Sequence, residues 1–109
     1  MDFKIQPSKD VQLIFEIAVH YLMDVFDYGE LQGISAIEQY YLDWKDRHKD
    51  DDFYHHLGPF EIALRVHYFL KIQGDELEYI TWRRDNGLNL PRPVPESAQH
   101  LWQEFLNGE

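Results

Sequence analysis

The chain has no cysteine. That excludes a disulfide scaffold, a thiol nucleophile and any thiolate metal site. No apolar run approaches the ~18 residues that a membrane-spanning helix needs. The start, Met1-Asp2-Phe3-Lys4-Ile5, lacks the basic stretch and apolar run of a secretory signal. The expected location is therefore the cytoplasm. Gly-rich phosphate loops, Gly-x-Ser-x-Gly, His-Glu-x-x-His and the oxygen-ligand spacing of a calcium loop are all missing from the sequence. No catalytic residue, metal ligand or cofactor is assigned on this reading.

Positive charge is scarce as well. Ten Lys and Arg stand against twenty Asp and Glu, for a formal net charge of -10. Such a chain is repelled by nucleic-acid phosphates and by anionic lipid, so neither direct nucleic-acid binding nor membrane association is expected. The charge suits solubility, or a basic protein partner. Acids concentrate early: residues 1–56 hold 12 acids against 5 bases, and residues 57–109 hold 8 against 5.

Apolar material is abundant. Hydrophobic residues make up 44% of 109 positions and aromatics 16%, too rich a content for a disordered chain. The length suits one domain that buries roughly two-thirds of its unfolded surface. Strand-like alternation and internal repeats are absent. The apolar spacing is helical nearly throughout.

A first helix is predicted over 9–28, capped by Ser8 and stopped by Gly29, with Val11, Ile14, Phe15, Ala18, Leu22, Val25 and Phe26 on its core face. Leu13 and Ile17 fall outside that face and are expected to meet another helix. A second helix is predicted over 36–49, where Ser35 and Glu38 have the spacing of a capping box. Asp50-Asp51-Asp52 reads as a solvated turn, and residues 53–57 as a short connector or a helical turn. Pro59 opens a third helix over 59–73, apolar almost all round and thus central, with Glu61 and Arg65 four apart for pairing. Gln73-Gly74-Asp75 separates it from a fourth helix over 76–86, capped by Asp75. Three prolines force residues 88–95 into an extended strap, with Leu88, Leu90 and Val94 available for burial. A last helix covers 96–107. The expected fold is all-α: a single-domain bundle of four to five helices with a proline-rich extended segment before the last.

Several polar groupings bear on function. Glu16, His20, Asp24 and Asp27 form one stripe, but it spans ~16 Å and cannot close round one ion alone. His48, Asp50, Asp51, Asp52, His55 and His56 are dense in possible ligands without a metal-site spacing. His67 on an apolar helix reads as a core histidine. The turn between the third and fourth helices resembles a helix-turn-helix, yet Asp75, Glu76 and Glu78 would face the phosphates while Arg83 and Arg84 sit at the far end.

Eight aromatics lie between 40 and 69, including the adjacent pairs Tyr40-Tyr41, Phe53-Tyr54 and Tyr68-Phe69. Both members of such a pair cannot point into one core, so aromatic surface should remain at the rim. Aromatic residues ringed by carboxylates suit an interface that meets Arg and Lys. The leading expectation is a small acidic protein-binding module that occludes a basic protein partner, as an immunity, antitoxin-like or phage-type inhibitor would. Asp24, Asp27, Asp43, Asp46, Asp50, Asp51 and Asp52 would steer the partner, and Tyr40, Tyr41, Trp44 and Tyr54 would anchor it. One alternative is a metal-dependent or acid-base enzyme using His20, His55 and His56. Another is a subunit or chaperone of a larger assembly, with homo-oligomerisation through the last helix.

Overall fold

The computed structural model describes residues 1–44 and 51–108. Five α-helices form among the described residues: α1 Lys9–Phe26, α2 Glu30–Trp44, α3 Asp51–Val66, α4 Tyr79–Asp85 and α5 Gln99–Leu106. A π-helical turn, His67–Ile72, continues α3, and 3-10 turns at Glu76–Glu78 and Glu96–Ala98 lead into α4 and α5. The all-α architecture is the expected one.

Helix α1 starts where Ser8 Oγ accepts the Val11 amide at 3.3 Å. It ends on Asp27 in the left-handed conformation, whose amide returns to the Leu22 carbonyl. The stop is thus Asp27 and not Gly29. Leu13 and Ile17 are buried together with Val11, Ile14, Phe15, Ala18, Val19, Tyr21 and Leu22. Ile17 joins the core cluster, and α1 as a whole packs against α2, α3 and α5. The helix at the centre of the bundle is therefore α1, and the predicted role of the 59–73 helix passes to it.

Helix α2 begins six residues before the predicted start. The Gly29 amide donates to Gln32 Oε1 at 3.3 Å, a reach back from the third helical position that caps the N-terminus there. Ser35 is consequently mid-helix, and the expected Ser35–Glu38 box does not exist. Glu38 instead accepts the Lys4 backbone amide and ties the N-terminal segment to α2.

Helix α3 corrects a second boundary. Asp51 and Asp52 open it where a solvated turn is expected, and of the two readings of residues 53–57 the helical one holds. It breaks at Gly58 (φ 79°, ψ 165°), and Pro59 starts the second half. That torsion pair is essentially restricted to glycine. The break turns the second half so that Ile62, Ala63, Leu64 and Val66 pack into the core. The strap over 88–95 is anchored at both ends by the burial of Leu88 and Pro95, whereas Leu90 is 78% exposed and contributes nothing to the core.

A Cβ placed on Gly58 meets nothing within 4 Å, so Gly58→Ala isolates the torsional cost. It should lower unfolding stability by about 1–3 kcal/mol. A urea midpoint that falls with unchanged slope checks this, and an unmoved midpoint would mean that the break relaxes freely.

Candidate functional site

The partner surface expected from the sequence is dispersed by the fold. Tyr40 and Tyr54 are each 1% exposed and belong to the core, so neither is available as an anchor. Each adjacent aromatic pair divides as steric reasoning requires. Tyr40, Tyr54 and Tyr68 are buried, while Tyr41, Phe53 and Phe69 stay partly exposed. Tyr41 packs its ring on Phe15 at 5.7 Å, and Trp44 tilts against Tyr40 at 6.0 Å.

Among the described residues, the expected steering carboxylates do not form one patch. Asp24 and Asp27 are exposed at the α1 end of the hairpin, and Asp43 is exposed at the far end of α2, bonded to Gln39 at 2.8 Å. The rise along α2 separates these ends by about 20 Å. Asp52 is exposed on the first turn of α3. Asp46 and Asp50 lie outside the described residues, as does the Asp51 side chain.

The expected Glu61–Arg65 pair forms, with Arg65 Nε 2.8 Å from Glu61 Oε2. Sequence reasoning missed its other partners. Tyr79 Oη donates to the same oxygen at 2.8 Å, and Arg83 Nη1 donates to Glu61 Oε1 at 2.7 Å. Arg83 also reaches the Leu88 carbonyl through Nη2 at 3.2 Å. One carboxylate thus joins α3, α4 and the strap. Burial, then the bond to Glu61, holds the Tyr79 hydroxyl far above the ordinary phenol range.

This linkage matters because α4 has seven residues and is too short to persist alone. Tyr79 and Trp82 face inward, where their rings meet Tyr68 at 5.2 and 4.9 Å. The opposite stripe is left bare. Leu77 is 91% exposed and Ile80 64%, three positions apart on the outer side. Asp75, Glu76, Glu78 and Asp85 surround them, all exposed. Asp75 caps the 3-10 turn as predicted, accepting the Leu77 amide at 2.8 Å.

Beside this stripe lies a cavity of about 340 Å³, lined by Tyr68, Ile72, Asp75, Glu78, Trp82 and Asp85 among others. The Tyr68 ring reaches its place because position 74 is glycine: a Cβ there would sit 2.2 Å from Tyr68 Cζ. The Tyr68 hydroxyl then donates to the Asp75 carbonyl at 2.6 Å. The π-helical turn behind it carries His67, stacked on Phe26 at 3.9 Å and bonded through Nδ1 to the Tyr28 hydroxyl at 2.9 Å. His67 is a satisfied, partly buried histidine, as its setting in the sequence implies. The i, i+3 spacing of Leu77 and Ile80 was a legible signal for the bare stripe, once Tyr79 and Trp82 are known to face inward.

The remaining polar groupings are separate. His20 Nδ1 lies 2.8 Å from Ser97 Oγ, joining α1 to the turn before α5. His55 and His56 are exposed, with His55 near Phe105 at 5.9 Å. Among the described residues, no three His, Asp or Glu side chains gather as a metal site would require. Burial lowers the proton affinity of His20, with help from His100, and that of His67, with help from Lys71. Burial raises that of Glu16, which Glu104 reinforces against the N-terminal ammonium. No helix among the described residues is long and apolar enough to cross a membrane.

No protein-family model matches the chain, and no curated protein or solved structure is detectably similar to it.

Two outcomes are expected of this arrangement. Glu61→Ala leaves two half-buried guanidinium groups without their acceptor. It should cost about 2 kcal/mol, below the roughly 3–5 of a fully buried pair because of partial exposure. Arg84→Ala removes only the exposed 3.7 Å pair with Asp85 and should leave the urea midpoint unmoved. The two histidines set a pH dependence. Their depressed folded values mean that the unfolded chain takes up protons first, below its pKa of about 6.5. Their contribution is complete above that pH and is lost as pH falls toward the folded values. Glu16 has the opposite sign and restores stability only at lower pH, through the carboxylate range. The urea midpoint should fall between about pH 7.5 and 5.5. The double variant His20→Asn/His67→Asn should flatten that fall, and an equally steep profile in it would remove these histidines as the cause.

Proposed function

We propose that the chain is a small acidic protein-binding module that occludes a basic protein partner, in the manner of an immunity or antitoxin-like inhibitor. The observation that carries this reading is the pair Leu77 and Ile80. Two large aliphatic side chains stand in solvent, one on the 3-10 turn and one on the helix after it, which is itself pinned from behind. Apolar surface of this kind, rimmed by charge, is a mark of interaction sites. The rim is mainly acidic: it carries Asp75, Glu76, Glu78 and Asp85, with Arg84 paired to Asp85 at 3.7 Å.

The reading therefore moves the binding face from the helices over residues 9–49 to the 3-10 turn and α4. A net charge of -10 draws in a basic surface over long range. Leu77 and Ile80 then exclude water at the contact. The adjoining cavity offers carboxylates and the Trp82 ring to one Lys or Arg side chain, a pairing supported by both Coulomb attraction and the ring quadrupole. Preformed geometry lowers the ordering cost of binding, and the Glu61 linkage supplies it here.

The test is retention from nuclease-treated host lysate, with identification by mass spectrometry. The wild-type chain should hold one basic protein at low salt and release it at high salt. Leu77→Ser/Ile80→Ser should lose that protein, and Asp24→Lys/Asp43→Lys should retain most of it. With the captured partner purified, Glu76→Lys/Glu78→Lys should slow association more than it speeds dissociation. Retention that ignores both salt and the Leu77/Ile80 substitutions would overturn the reading.

A further inference from the structure

A second cavity, sharing no residue with the one beside α4, has the opposite electrical character. It occupies about 470 Å³ where the α3 break, the strap and α5 meet. Tyr21 and Phe60 form its floor, Pro91, Arg92 and Pro93 one wall, and Trp102 the other. Not one carboxylate lines it, although the chain carries twenty. The single charged lining group is Arg92. Among the described residues its guanidinium forms no ion pair.

The walls are fixed independently of any occupant. The Tyr21 hydroxyl donates to the Arg92 carbonyl at 2.7 Å, and Gln99 Nε2 donates to the Val94 carbonyl at 2.8 Å. Pro91, Pro93 and Pro95 restrict the backbone between and beyond these bonds. Gly58 and Pro59 line the opposite side, so the helix break that only glycine tolerates also shapes this space. Apolar walls with a few placed polar groups are the usual make-up of a small-molecule site, and the volume falls in the usual range of roughly 300–1,000 Å³.

We infer that this groove binds a small amphiphilic carboxylate, an aliphatic or aromatic acid whose body lies on Tyr21, Phe60 and Trp102 and whose carboxylate meets Arg92. The apolar floor calls for an apolar body. The planar guanidinium fork matches a carboxylate in two parallel hydrogen bonds. A cationic ligand has acidic surface available to it nearly everywhere else on the chain. An anion meets here an apolar recess whose one charged group is a guanidinium.

Octanoate and 1-octanol test this, because they share an alkyl body and differ in charge. The readout is the indole N–H resonance of Trp102 in 15N-labelled protein, assigned with Trp102→Phe. Octanoate should shift that resonance saturably and bind more tightly than octanol. Arg92 is exposed, and its anchoring bond uses the backbone, so Arg92→Gln should fold normally, with an unchanged thermal midpoint as control. In Arg92→Gln, octanoate binding should weaken by about tenfold or more, the scale of a hydrogen bond to a charged group, while octanol binding is unchanged. Arg92→Lys should recover part of the preference. The inference fails if octanoate produces no saturable shift, if acid and alcohol bind alike in the wild type, or if Arg92→Gln weakens both equally. Binding of peptides with a free C-terminus in place of octanoate would also overturn it. None of these outcomes bears on the α4 face, where neither ligand is expected to act.

Discussion

The structure depends on one helix having only a narrow polar stripe to give to solvent. In α1, nine of eighteen residues are buried, and they cover the helix on all sides but the stripe of Glu16, His20 and Asp24. A helix that is apolar over so much of its surface must be enclosed on most sides. In a chain of this length the only material available is the rest of the chain, so α2, α3 and α5 are laid around it. Helix α3 contributes from both sides of its break at Gly58: Tyr54 before it and Ile62 after it both reach full burial.

Enclosing α1 uses up the long helices and leaves the segment over 76–85 with little core to join. Its stability comes from a different source. A half-buried carboxylate bound by two guanidinium groups and a phenol is costly to dehydrate, and it is tolerated only because every oxygen is occupied. The consequence is mechanical. With its inner side locked by Tyr79, Trp82 and Arg83, α4 can carry Leu77 and Ile80 in water without collapsing them into the core. Exposed apolar surface on a fixed support differs from the same surface on a fraying end, because binding to it requires no further ordering.

Much of this was legible in the residues. The Ser8 and Asp75 caps, the Glu61–Arg65 pair, the extended proline strap and the division of each adjacent aromatic pair all follow from local rules. What local rules lacked was distance along the chain. Arg83 meets Glu61 across 22 positions and His20 meets Ser97 across 77, and neither spacing has a signature. The α2 start was misread for a related reason: Gly29 satisfies the rule for a helix stop and also serves as a cap, and only the Gln32 side chain decides between them. Two of the four expected anchors, Tyr40 and Tyr54, fail because composition places aromatics near acids without saying which ring of a pair turns inward. Tyr40 and Tyr54 turned inward.

The distribution of charge now has a structural meaning beyond its total. A net charge of -10 spread evenly would give solubility and nothing more. Here the acids of residues 75–85 lie near exposed aliphatic side chains, while the groove under the strap is lined by no carboxylate and by a single guanidinium. The two recesses therefore differ in electrical character. Their separation is maintained by the strap itself. Leu88, held near Arg83 at one end, belongs to the Glu61 linkage, and Val94, held by Gln99 at the other, belongs to the groove. The prolines between them resist bending.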